Sequence, residues 1–95
     1  MRLKTKERDT IKSNFIKYFE EGKIYLFGSR VDDSQRGGDI DLYISTKNRE
    51  NLMSKKIAFL LAVKREIGEQ KIDVVFDYGQ DRLIDQKVKK EGILL

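Results

Sequence analysis

Residues 26–44 read LFGSRVDDSQRGGDIDLYI, and the way this stretch divides decides the fold. Its first two residues close an apolar, aromatic run that begins at Lys23, KIYLF, which reads as a short strand. From Gly28 the chain turns polar for about ten residues, and Gly37-Gly38 lets it turn tightly into Asp39. A second strand then runs from Asp39 to Ile44. Because strand side chains alternate, Asp39, Asp41 and Tyr43 share one face, and Ile40, Leu42 and Ile44 share the other. Two carboxylates on one face of a half-buried strand are costly: like charges about 4 Å apart repel by about 4 kcal/mol at an effective dielectric near 20. The intervening residue, Ile40, cannot neutralise them. Either an arginine or lysine reaches them from elsewhere, or a divalent cation sits between the oxygens.

Outward from this stretch, Ile11, Phe15, Tyr18 and Phe19 fall on one face of a helix from Thr5 to Glu20, ended by Gly22. Between Glu50 and Gly68, Met53, Ile57, Leu60, Leu61 and Ile67 trace a second helical stripe, read as plain core packing. Lys71–Phe76, KIDVVF, is a third strand with Ile72, Val74 and Phe76 on one face and Asp73 and Val75 on the other. A weaker helix, Gln80 to Lys90, presents Leu83, Ile84 and Val88 before Gly92, and the tail ILL is expected to pack back onto the body. The order is α-β-β-α-β-α, an α/β (α+β two-layer) fold with helices on a mixed three-stranded sheet. Strands one and two, joined by a short loop, pair antiparallel. The third, reached through a helix, is a parallel neighbour. On a 1-2-3 sheet order, Ser29, Asp39, Asp41 and Asp73 gather at one edge of the sheet.

Ninety-five residues make one domain, 1–95, with a single modest core. Hydrophobic and charged fractions are nearly equal, 39% and 38%, with no long apolar run, which excludes a membrane protein and a disordered chain. The first ten residues, MRLKTKERDT, are charged throughout and form no leader, so a cytoplasmic location is expected. Cysteine and histidine are absent, which removes disulfides, zinc sites, histidine-driven nucleophiles and imidazole acid–base chemistry. Catalysis is left to carboxylates, Lys, Tyr or a hard cation. The net charge of +4 invites a nucleic-acid partner. The lysines, however, are spread along the chain without aromatic interleaving, so nucleic acid is not the expected ligand.

Oxygen-only ligands on a rigid strand suit magnesium or manganese held together with substrate phosphates. Asp73, on the matching face of the next strand, is the candidate third carboxylate. Three acidic groups are what a two-metal phosphoryl or nucleotidyl transfer needs: Asp39 and Asp41 to bridge the ions, Asp73 to hold the ion at the attacking hydroxyl or to accept its proton. Gly28 lets a phosphate approach the backbone, while Ser29 can cap a short helical turn and donate its hydroxyl to a phosphate oxygen. Arg30 or Arg36 would neutralise the remaining phosphate charge. Singly, a Gly-Ser turn is only a turn, and two strand carboxylates a solvated face; the conjunction carries the reading. Asp32 and Asp33 read as loop charges, Asp77 and Asp81 as turn and capping residues, Tyr43 as packing or rim. Lys4, Lys6, Arg8 and Lys12 read as a solvated helix face. An EF-hand would need an oxygen ligand at 43 and glycine at 44, where Tyr43 and Ile44 stand. There is no Walker loop and no dinucleotide fingerprint.

With Gly28-Ser29-Arg30 followed by GGDIDL, and Asp39 ten positions after Ser29, the chain resembles the DNA polymerase β-like nucleotidyltransferase superfamily, which includes kanamycin nucleotidyltransferase. It is most similar to the minimal branch, the MNT or MntA-like antitoxins, and the likeness covers most of the chain. The resemblance implies transfer of a nucleoside monophosphate from ATP or another triphosphate to a hydroxyl, with Mg2+ required and pyrophosphate released. It matches Gly28 and Ser29 to the phosphate-contacting pair and Asp39, Asp41 and Asp73 to the metal ligands. Larger relatives carry a helical acceptor-binding domain, and this chain is expected to stop after the catalytic unit. In the minimal branch that half is often a separate HEPN toxin, so a HEPN partner modified on a tyrosine is the implied role. An exposed apolar patch should then mark the partner surface. A non-catalytic binding antitoxin and a small-molecule, antibiotic-modifying enzyme are the alternatives, the latter calling for a homo-oligomer.

Overall fold

Alternating β-branched, aromatic and polar residues form the three expected strands: β1 (Lys23–Phe27), β2 (Ile40–Ser45) and β3 (Ile72–Phe76). The computed structural model describes residues 1–34 and 37–95. Its helices are α1 (Thr5–Phe19), α2 (Leu52–Ile67) and α3 (Leu83–Glu91), with a short 3₁₀ turn at Gly28–Val31. The tail packs back as expected, adding a strand, β4 (Ile93–Leu94), so the sheet is four-stranded in the order β3-β2-β1-β4. β1 pairs antiparallel with β2 and β4, and β2 pairs parallel with β3, the α2 connection supplying the crossover.

One sheet face is almost wholly apolar. Ile24, Leu26, Ile40, Leu42, Ile44, Ile72, Val74 and Phe76 are buried there against Ile11, Phe15 and Phe19 of α1 and Phe59 and Val63 of α2. Phe19 knits the layers, with ring centroids 5.9 Å from both Phe59 and Phe76. α1 starts where the Glu7 carboxylate accepts the Lys4 N–H at 3.0 Å, placing a negative charge at the helix's positive end.

α2 departs from expectation. Met53, Ile57 and Leu61 are 64%, 53% and 60% exposed, whereas the buried face is Phe59 and Val63, with Leu52, Leu60 and Ile67 packed at its margins. So many of the helix's residues are apolar that periodicity finds the helix without choosing the side that meets the sheet. A second correction concerns α3, which begins at Leu83 rather than Gln80, and its Leu83 is 84% exposed. The start is set by Asp85, whose carboxylate accepts the Arg82 N–H at 2.9 Å, so the capping role expected of Asp81 belongs to Asp85. Asp77 is the turn residue expected, accepting the Gly79 N–H at 2.8 Å.

α3 lies on the opposite sheet face, where Phe27, Tyr43 and Val88 form a small second core with Tyr25, Val75 and Ile84 at its edge. Polar bonds hold it there. Asp85, only 1% exposed, accepts the Tyr43 hydroxyl at 2.6 Å and the Arg82 Nε at 2.8 Å, and Arg82 Nη2 donates to the Phe76 carbonyl at 2.7 Å. The Arg82 guanidinium and the Tyr43 hydroxyl hold the Asp85 carboxyl well below the usual carboxylate range, and burial together with Asp85 pushes the Tyr43 phenol up.

Two predictions follow from this packing. Phe59→Ala should cost about 3–5 kcal/mol in denaturant unfolding, whereas Leu61→Ala should change stability by no more than about 0.5 kcal/mol; equal losses would contradict the orientation of α2. An unfolded aspartate titrates near about pH 3.9. Because the folded Asp85 titrates lower, its contribution is complete above that pH and is lost as pH falls through the folded pKa. Asp85→Asn should therefore melt below the parent at pH 7, with the gap narrowing as the pH drops into the acid range. A gap independent of pH would assign the effect to packing instead.

Candidate active site

The strand register assembles the site. Asp41 stands opposite Asp73 in the parallel β2/β3 pair and opposite Phe27 in the antiparallel β1/β2 pair. The end of β1, with its Gly28-Ser29 turn, therefore meets the beginnings of β2 and β3 at one edge of the sheet, as the sequence indicates. Asp39 lies one residue ahead of β2. Ile40, between the two carboxylates, is paired with Ile72 and buried on the apolar face, so Asp41 and Asp73 are held on the face that α3 covers further along. The ladder extends past the strand end through the Ile40 N–H to the Lys71 carbonyl, 3.1 Å.

Burial and like charge act together on Asp41. Burial, with Asp73 and Asp39 nearby, raises the pKa of Asp41, and Lys71 only partly opposes this. A lysine does reach the group from elsewhere: Lys71 Nζ lies 3.3 Å from Asp39 Oδ2. Both side chains are largely in solvent, 71% and 42% exposed, so the pair is weak and easily exchanged. It touches Asp39, and among the described residues no lysine or arginine forms an ion pair with Asp41 or Asp73. The donors, all carboxylate oxygens, suit a hard divalent ion in kind. Their placement is not a finished cage: among the described residues no group of three or more acidic side chains is positioned to hold a metal ion.

The glycines are demanded by close approach. Gly28 has φ +77°, and a Cβ built on it would collide with the Asp41 carboxylate. Gly38 has φ +88°, and its Cβ would meet the Ser29 hydroxyl, so the returning loop lies directly against the serine. Ser29 sits inside the 3₁₀ turn, which Phe27 precedes, rather than capping it. Its carbonyl accepts the Asp32 N–H at 3.2 Å.

Arg30 is turned away from the cleft beside this turn. Its Nε donates to the Gly38 carbonyl at 3.2 Å and its Nη1 to the Arg2 carbonyl at 2.9 Å, so it braces the loop. Arg36, the other cation expected here, lies outside the described residues. Sequence reasoning missed Arg2, whose guanidinium donates to the carbonyls of Ser29, Gly37 and Asp32 at 2.8–2.9 Å. No spacing signal points to it, because its partners are 27–35 residues away. A cleft of about 300 Å³ opens beside the turn, lined by Phe27, Gly28, Ser29, Val31 and Asp32 and, from α3, by Lys87 and Glu91. The Asp41 carboxylate adjoins it behind Gly28.

A glycine–serine turn at the end of one strand, set against paired aspartates at the start of the next two, is the arrangement of a nucleotidyltransferase domain. The family model for Polymerase beta, Nucleotidyltransferase matches residues 9–95, and the chain belongs to that family. No curated protein matches it. Among the described residues no helix is long and apolar enough to cross a membrane.

The steric argument at Gly28 has a measurable consequence. Gly28→Ala should destabilise the protein by about 1–3 kcal/mol through its positive φ alone, with a further loss from the collision with Asp41. In an Asp41→Ala background the second part should vanish, so the two substitutions should couple in a double-mutant cycle. Simple additivity would mean that Gly28 and Asp41 do not meet.

Proposed function

We propose that this chain is a Mg2+-dependent nucleotidyltransferase of the minimal branch, which moves AMP from ATP onto a hydroxyl of a partner HEPN toxin and so acts as its antitoxin in the cytoplasm. The single observation that carries the reading is the convergence of Asp39, Asp41 and Asp73 on the Gly28-Ser29 turn at one sheet edge. In this reading Gly28 admits a phosphate to the backbone and Ser29 donates its hydroxyl to a phosphate oxygen. Asp39, Asp41 and Asp73 would hold the divalent ions, two of them, which polarise the attacking and leaving oxygens when bound. The acceptor oxygen forms a bond to the α-phosphorus, the bond from that phosphorus to the bridging oxygen breaks, and pyrophosphate leaves. Asp73 accepts the hydroxyl proton.

A macromolecular acceptor is supported by α2. Its outward stripe, Met53, Ile57 and Leu61, is apolar at a four-residue step, a ridge suited to packing against another helix. The helix carries Lys55, Lys56, Lys64 and Arg65, while its one acidic residue, Glu66, accepts a hydrogen bond from the Asn14 side-chain amide. A second copy of the chain would set these cations against their own kind. The occupant this face suits is therefore a helix of the partner with acidic flanks.

Labelled ATP distinguishes the possibilities. Incubated with Mg2+ and the co-purified partner, the parent should transfer label from the α-phosphate and none from the γ-phosphate. The Asp39→Asn, Asp41→Asn double variant should lower transfer at least about a hundredfold. Undiminished labelling by that variant would remove the site assignment. The contact of Lys71 with Asp39 and the unfinished ligand set favour a second reading, an antitoxin that neutralises by binding alone. On that reading the double variant still suppresses the toxin, whereas Ile57→Glu on α2 does not.

A further inference from the structure

A nucleoside triphosphate brings several negative charges to an edge of the sheet that already carries three carboxylates, so a cation must meet the phosphate tail. Among the described residues, the two guanidinium groups at the Gly28-Ser29 turn are otherwise engaged. Arg30 bonds the carbonyls of Gly38 and Arg2, and Arg2 bonds those of Ser29, Gly37 and Asp32. Lys71 sits on Asp39 and does not line the cleft. Among the described residues the one cation in the cleft wall is Lys87 of α3, which forms no ion pair there.

We infer that Lys87 is a phosphate-binding residue for the triphosphate tail, facing the Gly28-Ser29 turn from across the cleft and making α3 the second wall of the nucleotide site. The inference rests on the nucleotidyltransferase reading and adds to it a residue that the glycine–serine and aspartate motifs do not contain. The position is dictated by the helix. Ile84, Asp85 and Val88 turn toward the sheet, and Asp85 is locked by Tyr43 and Arg82, which sets Lys87 and Glu91, one turn apart, along the flank that borders the cleft. Lysine suits the task because a flexible stem lets its compact charge follow a mobile phosphate without a fixed fork geometry. Glu91 repels phosphate, so the tail seats at the Lys87 end of the wall.

The test is a binding measurement that needs no acceptor. A non-hydrolysable α,β-methylene ATP analogue and AMP are titrated calorimetrically, in Mg2+, into the parent and into Lys87→Ala, Lys87→Arg, Glu91→Gln, Ser29→Ala and Lys89→Ala, each first checked for an unchanged melting midpoint. Lys87→Ala should weaken the analogue about 10–100-fold, as expected for losing a hydrogen bond between charged groups, and leave AMP nearly unchanged. Lys87→Arg should restore most of the affinity, and Glu91→Gln should hold or improve it. Lys89→Ala should have no effect, since Lys89 borders a different cleft with Tyr25 and Asp77. If Ser29→Ala weakens the analogue and Lys87→Ala does not, the inference about Lys87 fails while the nucleotide site stands. Equal losses for the analogue and AMP would also overturn it, because the tail would not be what Lys87 contacts. A parent that binds neither ligand would overturn the nucleotide reading itself.

Discussion

The register between β2 and its two neighbours is the constraint on which the rest depends. Pairing Ile40 with Ile72 fixes Asp41 beside Asp73, and pairing Asp41 with Phe27 fixes both beside the turn that ends β1. A slip of one residue would turn the aspartates into the apolar layer and bring Ile40 out to the site side. Complete burial of Ile40, Leu42 and Ile44 is what forbids that slip. The hydrophobic face therefore does more than stabilise the sheet: it determines which side chains stand together on the opposite face, where the chemistry is.

The polar surroundings complete the positioning in two independent ways. On one side, Arg2 binds three carbonyls of the loop that joins β1 to β2 from outside its sequence, while Arg30, within the loop, donates to the Gly38 and Arg2 carbonyls. On the other, the buried Asp85 fastens α3 to Tyr43 in the middle of β2 and, through Arg82, to the end of β3. The cleft lies between these two braces. Within the cluster, burial and the neighbouring aspartates raise the pKa of Asp41, and among the described residues the exposed Lys71, paired with Asp39, only partly offsets them. That is a site with unmet affinity for positive charge, which is the electrostatic condition for recruiting a cation.

The strands, the faces they present and their order were legible because period-two alternation records burial directly. Asp39, Asp41 and Asp73 could be placed together from that pattern and the connection rules alone. The buried side of α2 was not legible: apolar side chains occupy so much of its circumference that periodicity does not choose Phe59 over Leu61. No pattern marks Asp85, since its burial depends on Tyr43, 42 positions away. Arg30 drew attention for standing next to Ser29, but adjacency along the chain says nothing about where a long side chain bends.

The part played by Arg2 extends the working region of the molecule to a place that contributes no chemistry. The segment ahead of α1 lies over the loop as a strap, with the Met1 ammonium against Asp33 and the Arg2 side chain beneath it. A change at Arg2 would be transmitted through three carbonyls to the serine turn. The serine turn is thereby tied to a residue 27 positions before it, well outside the motif that carries it.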